Sequence, residues 1–290
     1  MSTFLQLLVN GALLGGAYAI FSIGLTLIFG VVRVVNFAHG EFLMVGMYAV
    51  WLLAKYFGLH PYVAILPVVV LLCAVGMLMQ RFVIQPLLSA DAHIQVFATV
   101  GVSTALLNLA LMTFGADVRN VETRFGTEGL QLGPLTLVSG QLITFVIAML
   151  VAEGMHLFLQ RTFTGRAFRA LAQNRVAAAL MGVNVNGMYV LAFGIGAGLV
   201  GLAAGLLAVQ YPAFPTVGQY FVLTAFVIVV LGGMGSLPGA VVGSIAIGMI
   251  DSVAGFYAGP ELKEVVYFVV FLVILIVRPT GLFGLGRGSE

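Results

Sequence analysis

Nine apolar segments, most of them long enough to cross a lipid bilayer, follow one another along this chain of 290 residues. A membrane-spanning helix needs about 20 predominantly apolar residues. Charged residues make up 8% of the chain, whereas a soluble globular domain carries roughly a quarter. We therefore predict an all-α, polytopic membrane helical bundle with about eight or nine transmembrane segments. The candidate spans are residues 4–30, 35–54, 62–84, 93–114, 138–160, 188–211, 219–237, 239–258 and 264–278.

Charge and cysteine content exclude other classes of protein. The formal net charge of +2 is too small to indicate binding to nucleic acid or to an acidic ligand. The single cysteine, Cys73, lies in an apolar run, so no intramolecular disulfide can form and metal ligation is not expected. The first segment, MSTFLQLLVNGALLGGAYAIF, has no basic region before its apolar run. We interpret it as the first transmembrane helix rather than as a cleaved signal peptide.

The two longest connections differ in charge, and this difference predicts the orientation of the chain. Residues 161–187 contain four of the twelve basic residues and no acidic residue. Under the positive-inside rule this segment lies in the cytoplasm. Residues 115–137 contain two arginines against three carboxylates, so we place them outside. Alternation then puts the N-terminus outside and the C-terminus, with Arg278 and Arg287, inside.

The stretch RVAAALMG, which follows Asn174, predicts a short helix in the cytoplasmic segment. Asparagine is a favoured N-cap, and Gly182 stands where helices often end in a left-handed residue. Small side chains would let a partner approach closely, and three alanines are available at Ala177, Ala178 and Ala179. We interpret residues 161–187 as a docking surface for a cytoplasmic partner; a solvated amphipathic linker is the alternative.

Two regions do not fit a simple spanning helix. After Arg33 comes NFAHGEF (36–42), and the apolar run that follows is only 13 residues long. Either the span begins near Val34 and carries polar groups into the membrane, or a half-helix begins at the glycine. The second region, LGGMGSLPGAVVG (231–243), contains Pro238 and glycines that break a helix, among them Gly232, Gly233, Gly235 and Gly239. Irregular backbone at membrane depth is tolerated where protein or a water-filled cavity covers it, so both regions are candidates for lining a pathway. They could also correspond as a structural pseudo-repeat.

Few polar groups are available inside the predicted membrane region. Ionisable groups are costly there and often mark a transport route. The candidate pathway residues are Asn36, His39, Glu41 and Asp251. In the alternative interpretation, Glu41 complements the helix dipole and His39 is its hydrogen-bond partner. We interpret Tyr18, Tyr211 and Tyr220 as anchors at the membrane interface.

Glycines four residues apart favour close contact between helices. Such pairs occur at Gly11 and Gly15 and along the series GIGAGLVGLAAG, residues 194–205. Three common motifs for nucleotide binding and hydrolysis are missing from the sequence. There is no G-x-x-x-x-G-K-[ST], H-E-x-x-H or G-x-S-x-G, so the sequence indicates neither a nucleotide site nor a hydrolase.

Four blocks of sequence together resemble one transporter family. They are GLTLIFGVVRVVNFAHGEF (24–42), TGRAFRALAQNRVAAALMGVN (164–184), AFVIVVLGGMGSLPGAVVG (225–243) and VRPTGLFG (277–284). In this order they are similar to the LivH-type permeases of ABC importers for branched-chain amino acids, over essentially the whole chain. The resemblance implies one transmembrane permease domain over residues 1–290, in a bacterial inner membrane.

The resemblance also implies partners. They are a second homologous permease, two cytoplasmic ATP-binding subunits and a periplasmic solute-binding protein. The chain itself would bind no cofactor, because its partners use the ATP. The coupling loop of the family maps onto residues 161–187 and its coupling helix onto residues 174–181. The residues expected to contact the ATPases are Arg166, Arg169, Asn174, Arg175, Ala178 and Gly182.

Leucine, isoleucine or valine is the cargo that the resemblance implies, carried by alternating access. Similar permeases carry other amino acids, short amides or urea, and the binding protein does much of the selecting. A different class, an ion-coupled secondary transporter or channel, would relay protons through His39, Glu41 and Asp251 and would need no cytoplasmic partner. A purely structural membrane subunit is the third alternative.

Overall fold

The computed structural model describes residues 2–121, 123, 126, 128–132, 135–259, 262–278 and 280–283. Within them the chain forms eleven α-helices and one small hairpin, β1 (Gly129–Leu132) with β2 (Leu135–Val138). The helices are α1 (Ser2–Val32), α2 (His39–Phe57), α3 (Pro61–Met79), α4 (Ala92–Phe114), α5 (Ser139–Arg161), α6 (Phe163–Gln173), α7 (Arg175–Leu180), α8 (Val185–Leu207), α9 (Val217–Gly232), α10 (Leu237–Tyr257) and α11 (Lys263–Val277).

A helix lies at each of the nine predicted spans, so the all-α prediction is confirmed. In the described part of the chain, six helical segments are long and apolar enough to cross a membrane. They are Thr3–Val32, Pro61–Leu87, Ala92–Phe114, Ser139–Arg161, Val185–Leu207 and Leu237–Tyr257. The segment Pro61–Leu87 continues α3 through a π-helical and a 3-10 turn. Helices α2, α9 and α11 are shorter, and the total of eight or nine spans stays a prediction.

The predicted glycine contacts hold the centre of the bundle together. A Cβ added at Gly15 of α1 would lie 2.7 Å from the Cα of Ile245 in α10. A Cβ added at Gly201 of α8 would lie 2.9 Å from the Cα of Val69 in α3. Because any larger residue would collide with backbone, these glycines set the close packing of α1 on α10 and of α8 on α3.

The two predicted loops lie at opposite ends of α1. Near its start, Gln6 bonds the backbone of Thr136 in the 115–137 segment. Just past its end, the guanidinium of Arg33 donates to the carbonyl of Ala172 in α6, at 2.8 Å. We call the second end, with α6 and α7, the Arg33 end. The charge-based separation of the loops is confirmed; Glu122, Arg124 and Arg287, which also entered that prediction, lie outside the described residues.

The chain contains an inverted repeat. Residues Val32 and Tyr189 line one cavity, so α1 ends where α8 begins and the two helices run in opposite directions. Each is followed by an irregular segment and a short helix, 33–38 before α2 and 208–216 before α9. Helix α3 then packs antiparallel to α8, just as α10 packs antiparallel to α1. The repeats are therefore α1–α4 and α8–α11.

Both short helices begin inside the bundle, where their N-termini meet. The second residue of α2 is Gly40, and the second residue of α9 is Gly218. A Cβ added at Gly40 would lie 2.7 Å from the carbonyl carbon of Gly218, and one added at Gly218 would lie 2.9 Å from the backbone nitrogen of Glu41. The helices can only approach this closely because neither glycine has a side chain.

The pseudo-repeat suggested by the sequence paired the wrong segments. Segment 33–38 corresponds to 208–216, and not to 231–243. The glycines at 231–243 do break the helix, between α9 and α10, with positive φ at Gly233 and Gly235. That turn packs against Gly30 in the last turn of α1, at the Arg33 end. It therefore corresponds to the turn between α2 and α3, because in each case the turn joins a short helix to the next long one.

Candidate functional site

The N-terminus of α2 is formed by the backbone that returns into the bundle after Arg33. Among the described residues, Arg33 is the one non-glycine residue with positive φ, at 60°. The side-chain oxygen of Asn36 accepts a hydrogen bond from the backbone nitrogen of Ala38 at 3.1 Å. The backbone carbonyl of Asn36 accepts one from the backbone nitrogen of His39 at 3.3 Å. Asn36 and His39 are fully buried. Helix α2 thus begins at His39, one residue before the glycine, and its 19 residues make it longer than a half-helix.

His39 faces the middle of α1. Its Nε2 lies 3.1 Å from the carbonyl of Phe21, four residues beyond the midpoint of that helix, and the two rings are 4.7 Å apart. Because a carbonyl can only accept, Nε2 is the donor. The other ring nitrogen, Nδ1, is buried without a hydrogen-bond partner among the described residues. His39 therefore keeps one unused polar atom deep in the bundle.

Glu41 faces a different helix. The hydroxyl of Ser103 in α4 donates to its Oε1 at 2.9 Å, while Oε2 is buried without a partner in the described residues. No described Lys or Arg forms an ion pair with it; the ion pairs found there are Arg119 with Asp117 and Lys263 with Asp251. The proposed pairing of His39 with Glu41 is therefore wrong: successive residues of a helix point about 100° apart, so residues two apart point to opposite sides.

Thr99 of α4 closes the irregular segment and was not identified from the sequence. Its hydroxyl accepts from the backbone nitrogen of Phe37 at 3.3 Å. The one proton of that hydroxyl has two carbonyls in reach, Val96 of the same helix at 2.9 Å and Val35 at 3.3 Å. Backbone groups outside a helix need such partners inside a membrane. Thr99 is one of three threonines in α4, and nothing in the sequence says which of them meets the backbone before α2.

Asp251 belongs to a separate cluster in which its charge is paired. The Nζ of Lys263 in α11 lies 3.4 Å from both carboxylate oxygens and donates to the hydroxyl of Tyr220 at 2.7 Å. The hydroxyls of Tyr18 and Tyr220 lie 3.3 Å apart. Asp251 is 4% exposed. Lys263 was not among the residues selected from the sequence, because its partner lies 12 positions away on another helix.

Tyr18 of this cluster is not the interfacial anchor that the sequence suggested. Tyr18 is 2% exposed and lies in the core, and its ring contacts that of Phe221 at 6.0 Å. Tyr211, in the 208–216 segment, is half-buried, and its ring contacts that of Phe221 at 6.0 Å. Phe221 also contacts Phe21, whose ring packs on His39. The aromatic rings therefore lie between the two polar clusters and contact both of them.

The short helix predicted from capping residues is confirmed as α7. The side chain of Asn174 accepts from the backbone nitrogen of Ala177 at 3.0 Å, and Gly182 has a φ of 86°. Ala178, however, is 4% exposed and packs within its own chain. The predicted alanines Ala177 and Ala179 are exposed, together with the larger apolar side chains of Val176, Leu180 and Met181.

Helix α6 lies beside α7 and turns its charges outward. Arg166 and Arg169 are exposed, as is Arg175 at the start of α7, while Phe168 and Leu171 of α6 are buried. Arg33 joins this pair of helices to the start of the irregular 33–38 segment through its bond to Ala172. A cavity of about 590 Å³ lies at the same place.

Nearly the whole chain is similar to known transport permeases. A family model described as "Branched-chain amino acid transport system / permease component" matches residues 7–275. The high-affinity branched-chain amino acid transport system permease protein BraD of Pseudomonas aeruginosa is 33% identical, over 97% of this chain and 96% of that protein. The corresponding permease protein LivH of Escherichia coli K12 is 29% identical over the same shares of the two chains. A probable LivH permease of Methanocaldococcus jannaschii is 24% identical, over 96% of this chain and 92% of that protein. No solved structure matches this chain.

Proposed function

Because the chain belongs to the permease family of branched-chain amino acid transport systems, we propose that it is the translocating subunit of an ATP-driven importer for leucine, isoleucine and valine. Its relatives are transport subunits and not enzymes. The importer would lie in a bacterial inner membrane, with a second homologous permease, two cytoplasmic ATP-binding subunits and a periplasmic solute-binding protein. This chain would bind no nucleotide of its own.

The observation that carries the proposal is the meeting of α2 and α9 inside the bundle. Helix N-termini carry partial positive charge and attract anionic groups, and broken helices in transporters use them in this way. The buried Oε2 of Glu41, which has no partner among the described residues, would attract a cation. An amino acid carries both a carboxylate and an ammonium group. Glu41 and the two helix N-termini thus offer opposite charges to a zwitterion, while Asn36 and His39 are buried on other sides of the start of α2.

ATP binding by the partners would act through α7. Its exposed apolar side chains follow Arg175 and lie on a helix that contacts the arginine-bearing α6, a composition that suits insertion into a groove of another protein. Arg166, Arg169 and Arg175 would meet acidic groups around that groove. Movement of α6 and α7 would reach the 33–38 segment through Arg33, and from there the N-terminus of α2.

The same end of the bundle would face the cytoplasm. The backbone nitrogens of Leu282 and Phe283 donate to carbonyls at the end of α9, which places the last described residues at the Arg33 end. The start of α1 lies at the other end, beside Thr136. With arginines at the cytoplasmic side, the N-terminus is outside and the C-terminus inside.

A proton relay through Glu41, His39 and Asp251 has less support. In the described residues Glu41 bonds Ser103, His39 bonds the carbonyl of Phe21, and Asp251 pairs with Lys263. No hydrogen-bonded path among these residues joins the three, so the ion-coupled alternative is not developed further.

Reconstitution with the partner proteins tests the energy source and the cargo together. Vesicles that enclose ATP on the cytoplasmic side should take up leucine, isoleucine or valine, and a protonophore should leave that uptake largely intact. Uptake that ignores ATP and collapses with the proton gradient would overturn the proposal. If ATP drives uptake but urea or a short amide competes and leucine does not, the cargo is wrong and the architecture stands.

Docking of the ATPases is tested separately at α7. Leu180 is 83% exposed, so Leu180→Glu should leave the fold intact while it removes apolar contact area and weakens ATPase co-purification about tenfold or more. Val118→Glu, at an exposed apolar residue near the other end of the bundle, is the matched control and should bind ATPase normally. Equal ATPase binding by the two variants would show that α7 is not the docking helix.

A further inference from the structure

The irregular segment before α9, residues 208–216, is held in place by contacts with distant parts of the chain. It leads directly into α9, whose second residue, Gly218, meets the start of α2. Within the segment, Pro212 and Pro215 flank Ala213. Proline fixes one backbone torsion angle, so the connection from Ala213 to the helix is stiff. The position of Ala213 therefore limits where α9 can begin.

Ala213 is joined to the 115–137 segment, which lies at the opposite end of the bundle from Arg33. The backbone nitrogen of Arg119 donates to the carbonyl of Ala213, and the backbone nitrogen of Ala213 donates to the carbonyl of Arg119, both at 2.8 Å. The two residues form an antiparallel bridge, which we call the 119–213 bridge. Ala213 is 2% exposed, and buried backbone groups need such partners.

The side chain of Arg119 is anchored on the first repeat. Its Nη2 donates to the carbonyl of Phe114, at the end of α4, at 3.2 Å, and lies 3.3 Å from the carboxylate of Asp117. Its guanidinium carbon lies 5.3 Å from the centre of the Trp51 ring in α2, within the range of a cation–π contact. Arg119 thus connects α2 and α4 of the first repeat to the segment that precedes α9 in the second.

Gln210 holds the same segment to α5. Its side-chain nitrogen lies 2.8 Å from the hydroxyl of Thr144, and the carbonyls of Gly140 and Leu206 lie 3.3 Å away. The hydroxyl of Thr144 donates to the carbonyl of Gly140 at 2.8 Å, so it accepts the hydrogen bond from Gln210. Thr144 is 1% exposed, and a buried polar group that loses its partner is costly. Gln210 is therefore the second attachment of the segment.

The first repeat holds its own irregular segment by corresponding contacts at the other end of the bundle. The hydroxyl of Thr99, in α4, accepts a hydrogen bond from the backbone of Phe37. The hydroxyl of Thr144 does the same for the second segment. The guanidinium of Arg33 joins the first segment to α6, as the 119–213 bridge joins the second segment to the loop at its own end. Each segment is thus held by a threonine of a neighbouring helix and by a loop.

We infer that Arg119 and Gln210 are positioning residues for the start of α9, which they control from the end of the bundle opposite to α7. The inference rests on the proposed function, because the meeting of α2 and α9 is where the substrate would bind. Each residue acts through the 208–216 segment rather than by touching the substrate. Arg33 and Arg119 would then set the two halves of one site from opposite surfaces of the membrane.

Hydrogen exchange in the purified full-length chain tests the role of Gln210. Gln210→Met removes the amide, and Thr144→Val removes its partner at nearly constant volume. In each variant we expect the backbone amides of residues 217–221 to exchange about two- to tenfold faster, the factor that one hydrogen bond represents. The double variant should exchange no faster than either single variant, because all three lack the same bond. Additive effects, or unchanged exchange at 217–221, would contradict the inference.

A comparison within the same experiment separates positioning from a general loss of stability. The amides of residues 68–76, in α3, should exchange at the wild-type rate in all three variants. Faster exchange throughout the chain would show that Gln210 stabilises the fold as a whole, and it would overturn the inference.

Arg119 is tested by a pair of neighbouring substitutions. Arg119→Met removes the contacts of the side chain with α2 and α4 but leaves the backbone of the 119–213 bridge. It should also accelerate exchange at residues 217–221. Asn120→Ala, at an exposed neighbour, is the matched control and should exchange as the wild type does. Equal exchange in the two variants would show that the side chain of Arg119 does not position α9.

Leucine uptake by reconstituted complexes connects the positioning role to the site. Gln210→Met should lower uptake about threefold or more, because a binding site tolerates small displacements of its groups poorly. Co-purification of the ATPases should stay at the wild-type level. Wild-type uptake by this variant, with faster exchange in α9, would show that the start of α9 is not part of the site, and the inference would be wrong.

The wild-type complex separates this inference from the proposed function. If the variants change exchange as expected while ATP drives no uptake by the wild-type complex, the positioning role stands and the proposed function is wrong. If the wild-type complex transports leucine and the variants leave exchange unchanged, the function stands and the positioning role is wrong.

Discussion

The two repeats share a backbone plan but differ in the chemistry of their buried carboxylates. In the first repeat, Glu41 has a hydrogen bond from Ser103 and no cation beside it in the described residues. In the second, Lys263 lies 3.4 Å from both oxygens of Asp251 and bonds Tyr220 as well. One carboxylate has no described cation beside it, near the meeting of α2 and α9, and the other is neutralised by Lys263 within the chain.

This difference assigns different tasks to two groups that look alike in the sequence. An unpaired buried charge is unfavourable, and proteins retain such a charge mainly where a ligand or a proton meets it. A paired charge instead connects the elements that supply its two halves, here α10 and α11. Asp251 was expected in the pathway, and we now propose that it holds these helices together while Glu41 faces the substrate. The following substitutions test this comparison, in order of their expected effect on the stability of the folded chain.

Loss of the cation in the second repeat should have the largest effect. Lys263→Met leaves the carboxylate of Asp251 buried and unpaired, and breaking a buried pair in this way costs about 3–5 kcal/mol. We expect a clearly lower unfolding temperature for the purified chain. The double variant Lys263→Met with Asp251→Asn should recover most of that stability and should still transport. If the single and double variants unfold at the same temperature, the pair does not hold α10 and α11 together.

A methyl group at the meeting of the short helices should have the next largest effect. Gly40→Ala introduces a Cβ 2.7 Å from the carbonyl carbon of Gly218 and 2.9 Å from the Cβ of Val222. Overpacking of this kind costs about 1–3 kcal/mol, and here it would also push α2 and α9 apart, so uptake should fall at least about tenfold. Thermal unfolding and uptake are the two measurements.

The control for the glycine variant is Gly154→Ala. A Cβ added at Gly154, in α5, meets nothing within 4 Å. Alanine is the better helix former by about 1 kcal/mol, so this variant should be as stable as the wild type or slightly more so. If both alanine variants behaved alike, the close approach of α2 and α9 would have no bearing on stability or transport.

Removal of the charge in the first repeat should change stability least and transport most specifically. Glutamine at position 41 keeps an oxygen to accept from Ser103, so Glu41→Gln should alter the free energy of unfolding by less than about 1 kcal/mol. Substrate uptake should fall about tenfold or more, because the ammonium group loses its counter-charge. Wild-type uptake by this variant would place the substrate elsewhere.

The features predicted correctly were those that depend on nearby residues. Apolar runs of sufficient length located the helices, because the need to bury backbone polar groups in lipid acts on each segment by itself. Asn174 and Gly182 marked the two ends of α7, because capping satisfies groups within one turn. The arginine-rich loop and the acid-balanced loop lie at opposite ends of α1, and the charge of each loop, which is a local property, predicted this separation.

Features that depend on residues far apart in the chain could not be predicted. Gly40 and Gly218 are 178 positions apart in the sequence, and no sequence pattern shows that they are in contact. The pseudo-repeat was consequently assigned to the glycine-rich turn at 231–243, which has the stronger local signal. Ala178 was expected to face a partner, yet it is buried in its own chain because the packing of α6 and α8 decides which side of α7 is covered.

By itself, then, the sequence determined that the chain is a helical membrane protein, where its helices lie, which loops share an end and which residues cap α7. Each of these follows from the cost of exposing charge or backbone to hydrocarbon, and that cost is local. Only the tertiary structure decided that Glu41 stays unpaired while Asp251 meets Lys263, and that α2 and α9 meet at two glycines. The physical reason is that pairing and close approach depend on where other helices pack, and the chain reaches those positions only when the whole bundle has formed.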